Sequence, residues 1–215
     1  MTHRGRRTRV LAAVVTGLSA VLLAAFFTVQ ATRDQPTAAA PPMPSPDASR
    51  PVERITTPDL PSSAPVRLEV PRIDVRTPLM KLAENPDRTI ETPPLSRAQV
   101  AGWYRLGAAP GSRGAAVIIG HVDTTRGPGV FYRLGRLRPG DRTSVLRADG
   151  RTAVFEIDSV EHFGKDSFPT NRVYGDPGYA AIRLITCGGR FDPVTGHYVD
   201  NVIAFGHLLR SDEAR

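Results

Sequence analysis

Residues 142–163 read RTSVLRADGRTAVFEIDSVEHF. Apolar residues, mostly Val, Ile and Phe, alternate with polar ones on both sides of Asp149-Gly150, a dipeptide suited to the positive φ angles of a two-residue hairpin turn. The stretch predicts two antiparallel strands, each with one buried face. Working outward, VRLEVPRIDVRTPL (66–79), GAAVIIGHVD (114–123), YAAIRLITC (179–187) and YVDNVIAFGHLL (198–209) share this texture. Pro71 interrupts the first of these and fits a strand edge or bend, because proline cannot donate to a ladder. Helical periodicity is confined to SRAQVAGW (96–103) and VFYRLGRL (130–137). Seven or eight short strands with so few helices predict a mainly β fold, a closed or nearly closed barrel.

Upstream of the strands the composition changes twice. Residues 1–9, MTHRGRRTR, carry four arginines and no acid, and residues 10–32 run for 23 positions without a charge. About 20 apolar residues span a hydrocarbon core, so 10–32 predicts a transmembrane anchor, and the arginines in front of it keep the N-terminus cytoplasmic. A cleaved signal peptide ending near Val29-Gln30-Ala31 is the rival reading; the apolar run is longer than such peptides need. Either reading exports the rest of the chain. Residues 35–66 hold nine prolines and few large apolar residues, which predicts an extended extracellular linker over 33–66 ahead of a folded head at 67–210. The formal net charge is +7, and four of those charges belong to the N-terminal tail. With no basic stripe interleaved with aromatics, nucleic acid is not an expected partner.

The chain has one cysteine, Cys187, at the end of the apolar run AIRLITC and followed by Gly188-Gly189. One cysteine permits no internal disulfide, which leaves a small buried hydrophobe or a reactive thiol at the mouth of the barrel. A nucleophilic thiol needs a base or a positive neighbour. Of the five histidines, His3 lies in the cytoplasmic tail, His162 follows an alternating strand as one more polar face residue, His207 comes after the last strand with nothing polar grouped around it, and His197 sits in a TGHY turn. His121 follows the buried-looking AAVIIG at a strand end, which makes it the candidate partner of Cys187.

VIIGHVD, GPGVFYRLGRLRPGD and LITCGGRFDPVTGHYVDNVIAF, taken in that order, resemble the sortases, and the middle segment is similar to class F sortases of actinobacteria. The resemblance spans about 66–209. It implies a sortase-type eight-stranded β-barrel and cysteine transpeptidation without a cofactor. Cys187 would attack a peptide bond in an LPxTG-like sorting signal on an exported protein, and His121 would protonate the departing amine. A cell-wall or pilin amine would then resolve the thioester, and the enzyme would sit in the cell membrane with its catalytic domain outside. The resemblance also implies an arginine on the strand after the cysteine, but HYVDNVIAF contains none, and Val199 and Asn201 stand there instead. Arg190 is the nearest substitute, Arg183 the second choice, and Asn201 could donate a hydrogen bond to an oxyanion without bringing charge.

The remaining motifs carry less. GPGVFYRLGRLRPGD predicts a short helix or loop with Phe131, Tyr132 and Leu134 in the core, and Asp123 fits a loop carboxylate better than an orienter of His121. Glu84, Asp87 and Glu91 lack the ligand spacing of an EF-hand, so no metal is expected. An L,D-transpeptidase would also use an exported cysteine and histidine, but with the histidine just upstream, whereas His121 and Cys187 lie 66 residues apart. A head with an inert thiol, serving binding or pilus assembly, is the non-enzymatic alternative.

Overall fold

The structure of the protein, a computed structural model, describes residues 39–45 and 57–213. The expected cytoplasmic tail (1–9) and membrane anchor (10–32) lie outside the described residues. Among the described residues no helix is long and apolar enough to cross a membrane.

Eight strands close into a barrel. In chain order they are β1 (Pro65–Val70), β2 (Val75–Leu82), β3 (Ala101–Tyr104), β4 (Gly114–Ile119), β7 (Arg142–Arg147), β8 (Thr152–Gly164), β9 (Ala180–Asp192) and β10 (His197–Asp212). Around the barrel the order is β1-β2-β3-β4-β9-β10-β8-β7, and β7 pairs with β1 to close it. The two remaining strands, β5 (Asp123–Thr124) and β6 (Gly127–Pro128), form a small antiparallel ribbon after β4. The mainly β barrel expected from the alternating stretches is the fold observed.

The hairpin of 142–163 forms as its sequence dictates. β7 and β8 pair antiparallel, Leu146 lies opposite Thr152, and Gly150 takes φ +82 in the turn. Pro71 marks a bend, opening a 3-10 turn (Pro71–Ile73) between β1 and β2. The stretch 96–103 departs from its helical reading: only Leu95–Arg97 makes a 3-10 turn, and Ala101–Tyr104 is β3, parallel to β2. The edge of β2 overrides the local periodicity. A Cβ on Gly102 would lie 2.5 Å from the Leu82 side chain, so the close approach of these two strands requires a glycine.

Alternation along the long strands makes two apolar layers. Leu68, Val145, Phe155, Ile182 and Leu184 fill the barrel, all at 0% exposure. Val117, Ile185, Ile203 and Phe205 lie on the outer face, where Val173 of the short helix α1 (Thr170–Tyr174) covers them. This covered outer face is the one that carries the candidate site.

The expected start of the head at 67 falls inside β1, and the chain is tied to the barrel further upstream still. The Thr57 hydroxyl donates to the Leu209 carbonyl (2.9 Å), and the Leu60 N–H to the Gly111 carbonyl (2.8 Å). Residues 57–64 thus belong to the head, since their backbone groups find partners there rather than in water.

Candidate active site

β9 extends five residues beyond Cys187, so the thiol is not at a strand end as its two glycines suggest. The glycines make a bulge instead. Asp200 pairs with Gly188 and Tyr198 with Phe191, which leaves one extra residue on β9, and Gly189 takes φ +76. Cys187 shares the outward parity of Arg183 and Ile185, is half-buried, and is the free cysteine of the described chain.

His121 follows β4, the strand that flanks β9 on its other side. β4 runs parallel to β9 with Ile119 opposite Ile185, and the Gly120 N–H donates to the Ile185 carbonyl (3.1 Å). β4 ends at Ile119, and His121 follows it by two residues in the connection to β5, while β9 runs on through Cys187. The His121 ring is anchored through Nε2, 2.5 Å from the Pro93 carbonyl oxygen. A carbonyl only accepts, so Nε2 carries the hydrogen and Nδ1 is left to take or give a proton.

The segment after β6 holds this loop. The Phe131 N–H donates to the His121 carbonyl (3.0 Å), and a Cβ on Gly129 would lie 2.4 Å from that same oxygen. Phe131 and Leu134 are fully buried as expected, whereas Tyr132 is half-buried and donates its hydroxyl to the Ala39 carbonyl. The motif thus works by clamping the backbone of His121.

Burial raises the Cys187 thiol above its ordinary pKa; Lys165 opposes that rise by charge and hydrogen bond, and Asp123 adds to it. Asp123 is not a simple turn carboxylate: it accepts the Tyr198 hydroxyl (2.6 Å). Burial raises its pKa, while Tyr198 and the charge of His121 work against the rise. The Tyr198 phenol is pushed up by burial and by Asp123. Sequence reasoning passed over Lys165, which opens a 3-10 turn (Lys165–Ser167) just after β8; nothing in KDSFPT marks it as a site residue.

The other candidates spread out. Arg190 is exposed at the bulge, where its charge contributes to holding the Asp192 carboxyl low. Asn201 pairs directly with Cys187 across β9 and β10, and Val199 lies opposite the bulge, partly exposed. Arg183 points away from the thiol's surroundings: its guanidinium donates to the carbonyls of Arg172 (3.2 Å) and Ile182 (2.9 Å) and stacks on Phe205. His207 pairs with Asp158 (2.7 Å) far along β10. Among the described residues no three His, Cys, Asp or Glu side chains group as metal ligands. Glu84 and Glu91 instead accept the Tyr104 hydroxyl and the Ala83 N–H, and Asp87 accepts from Thr89.

The structure is thus a closed eight-stranded barrel with a half-buried thiol on the outer face of β9. The sortase domain model matches residues 68–209, and the chain belongs to the sortase family. Among solved structures it is similar to sortase A from Corynebacterium diphtheriae, at 19% identity and TM-score 0.54 over 69% of this chain and 62% of that one. Listeria monocytogenes sortase A is similar at 16% identity and TM-score 0.53, over 72% of this chain and 92% of that one. Sortase C1 from Streptococcus agalactiae matches at 18% identity and TM-score 0.53, over 67% and 66%. At such identities the likeness is one of fold. No curated protein sequence matches the chain.

Proposed function

We propose that the protein is a membrane-anchored, class F-like sortase that cleaves an LPxTG-like sorting signal on an exported protein and transfers it to a cell-wall or pilin amine. The observation that supports this reading is the sortase barrel itself, in which β4, the strand that leads to His121, pairs in parallel with β9, the strand that carries Cys187. The Cys187 thiolate attacks the scissile carbonyl carbon, and an S–C bond forms as the carbonyl oxygen takes the negative charge. The C–N bond then breaks, and the leaving amine takes its proton from Nδ1 of His121. An incoming amine attacks the thioester, gives its proton back to His121, and the S–C bond breaks to restore the thiolate. Arg190 is the arginine that the bulge presents nearest the thiol along the strand, and its fork of donors suits the substrate backbone.

Two carboxyl-side features fit this task. The outer face beside the thiol is apolar at Ile119 and Ile185, and its rim is made by the segment from Lys165 to α1. The expected outcome is an acyl adduct on Cys187 when the full-length chain meets LPxTG-like peptides, read by intact-mass spectrometry and absent from Cys187→Ala. If a sorting-signal library leaves no adduct and iodoacetamide does not modify the folded chain, the reading fails. One observation favours an inert head, namely uncharged Val199 on β10; under that alternative Cys187 alkylates no faster than a free thiol of ordinary pKa.

A further inference from the structure

The chemistry above, on which this inference rests, needs a thiolate on a half-buried sulfur, and a half-buried thiolate needs a positive neighbour. β10 brings none to the level of Cys187: Val199 and Asn201 are uncharged, and the Arg190 side chain is exposed beside Asp192. The three-strand register shows what does reach that level. Phe163 pairs with Asn201 and Asn201 with Cys187, while Gly164 pairs with Asp200 and Asp200 with Gly188. The end of β8 is thus in row with the thiol, two strands away on the side opposite His121. Lys165 is the next residue, where the chain leaves the sheet for its 3-10 turn.

We propose that Lys165 is the cation that favours the Cys187 thiolate in this protein, working against the burial of the sulfur. A lysine's long four-carbon stem can reach across such a gap. Its charge and hydrogen-bonding capacity favour the thiolate, against the burial that raises the thiol overall. Among the described residues Lys165 shares no ion pair with a carboxylate, whereas Arg172 and Arg113 are engaged by Glu161 and Asp176. Its charge is therefore available to the thiol.

The titratable groups that act on the sulfur or on its neighbours are Lys165 from the β8 end, Asp123 after β4 with His121 acting on it, and Tyr198 of β10 with Tyr132 beside it. The test reads the pH dependence of Cys187 alkylation by iodoacetamide in the full-length chain, with no peptide present. Lys165→Met is expected to move the midpoint up by about one pH unit, a tenfold loss of thiolate below it. Lys165→Arg should stay near the wild-type midpoint, and Arg190→Met should not move it. A Lys165→Met midpoint that coincides with the wild type overturns the proposal, as does an Arg190→Met shift larger than that of Lys165→Met. Lys165 is exposed, so the fold does not depend on it, and Lys165→Gln repeats the measurement with a polar stem. A failed peptide adduct alongside a displaced Lys165→Met midpoint would sink the sorting-signal reading and leave the thiol's cation standing.

Discussion

Asp123 and Lys165 act on one sulfur with opposite sign. Ionised Asp123 makes the thiolate harder to form, so Asp123→Asn is expected to lower the pH midpoint of Cys187 alkylation while Lys165→Met raises it. Opposite displacements from two substitutions that each remove a charge are a signature of charge; loosened packing would expose the thiol and speed both. Asp123 also carries a stability consequence. Its folded pKa lies above the ordinary carboxylate value, so the folded state holds that proton more tightly than the unfolded chain. The stability this contributes is present below about pH 4 and is lost as pH rises through the folded pKa. Urea titrations across pH 3–7 should therefore show a shallower decline in Asp123→Asn than in the wild type. If the two variants' alkylation midpoints move in the same direction, the electrostatic account of the thiol is wrong.

At the scale of elements, the segment 39–45 lies against the site side of the barrel. The Gly189 N–H donates to the Met43 sulfur (3.2 Å), and Tyr132 donates to the Ala39 carbonyl. A Cβ on Gly135 would sit 2.0 Å from the Pro42 carbonyl oxygen. Backbone cannot yield as a side-chain tip can, so Gly135→Ala is expected to unseat this segment while the buried core, which Gly135 does not fill, stays intact. Limited proteolysis should cut Gly135→Ala faster between 39 and 56 with little change in thermal midpoint. Equal cleavage rates would mean that the contact does not hold the segment. None of this was readable from a proline-rich stretch, whose composition predicts only extension. The β7–β8 hairpin was readable because alternation and turn chemistry are both local. β3 was not, since four residues carry no period of their own and take their state from β2. His121 was legible as a residue just past a strand and Cys187 as one borne on a strand, but the continuation of β9 through a glycine bulge and the arrival of the β8 end beside it are products of pairing across three strands.

Over the whole molecule, one buried arginine joins pieces that the sequence keeps far apart. Arg147 ends β7, pairs with Pro65 where β1 and β7 close the barrel, and is 1% exposed. Its guanidinium donates to the Pro110 carbonyl (2.6 Å), to the Pro61 carbonyl and to the Asp149 carboxylate (2.8 Å). It thus fastens residues 57–64 and the loop before β4 to the closing seam. A buried charge is tolerated only when its donors are met, and the Pro110 carbonyl it serves lies on a buried residue. Arg147→Met fills similar volume but leaves the Pro110 carbonyl without its partner and frees the Pro61 and Asp149 ends of the tie, and it is expected to cost about 3 kcal/mol. With a urea slope of about 2 kcal/mol/M for a domain of this size, the midpoint should fall by about 1.5 M. Asp149→Asn should cost less than about 1 kcal/mol, because that carboxylate is partly exposed and water can replace it at the guanidinium edge. The two substitutions share a hydrogen bond, so their double mutant should be less destabilised than the two effects added. Chemical denaturation of the four proteins decides it: an Arg147→Met loss below about 1 kcal/mol would mean that barrel closure rests on the β1–β7 ladder and its apolar faces alone.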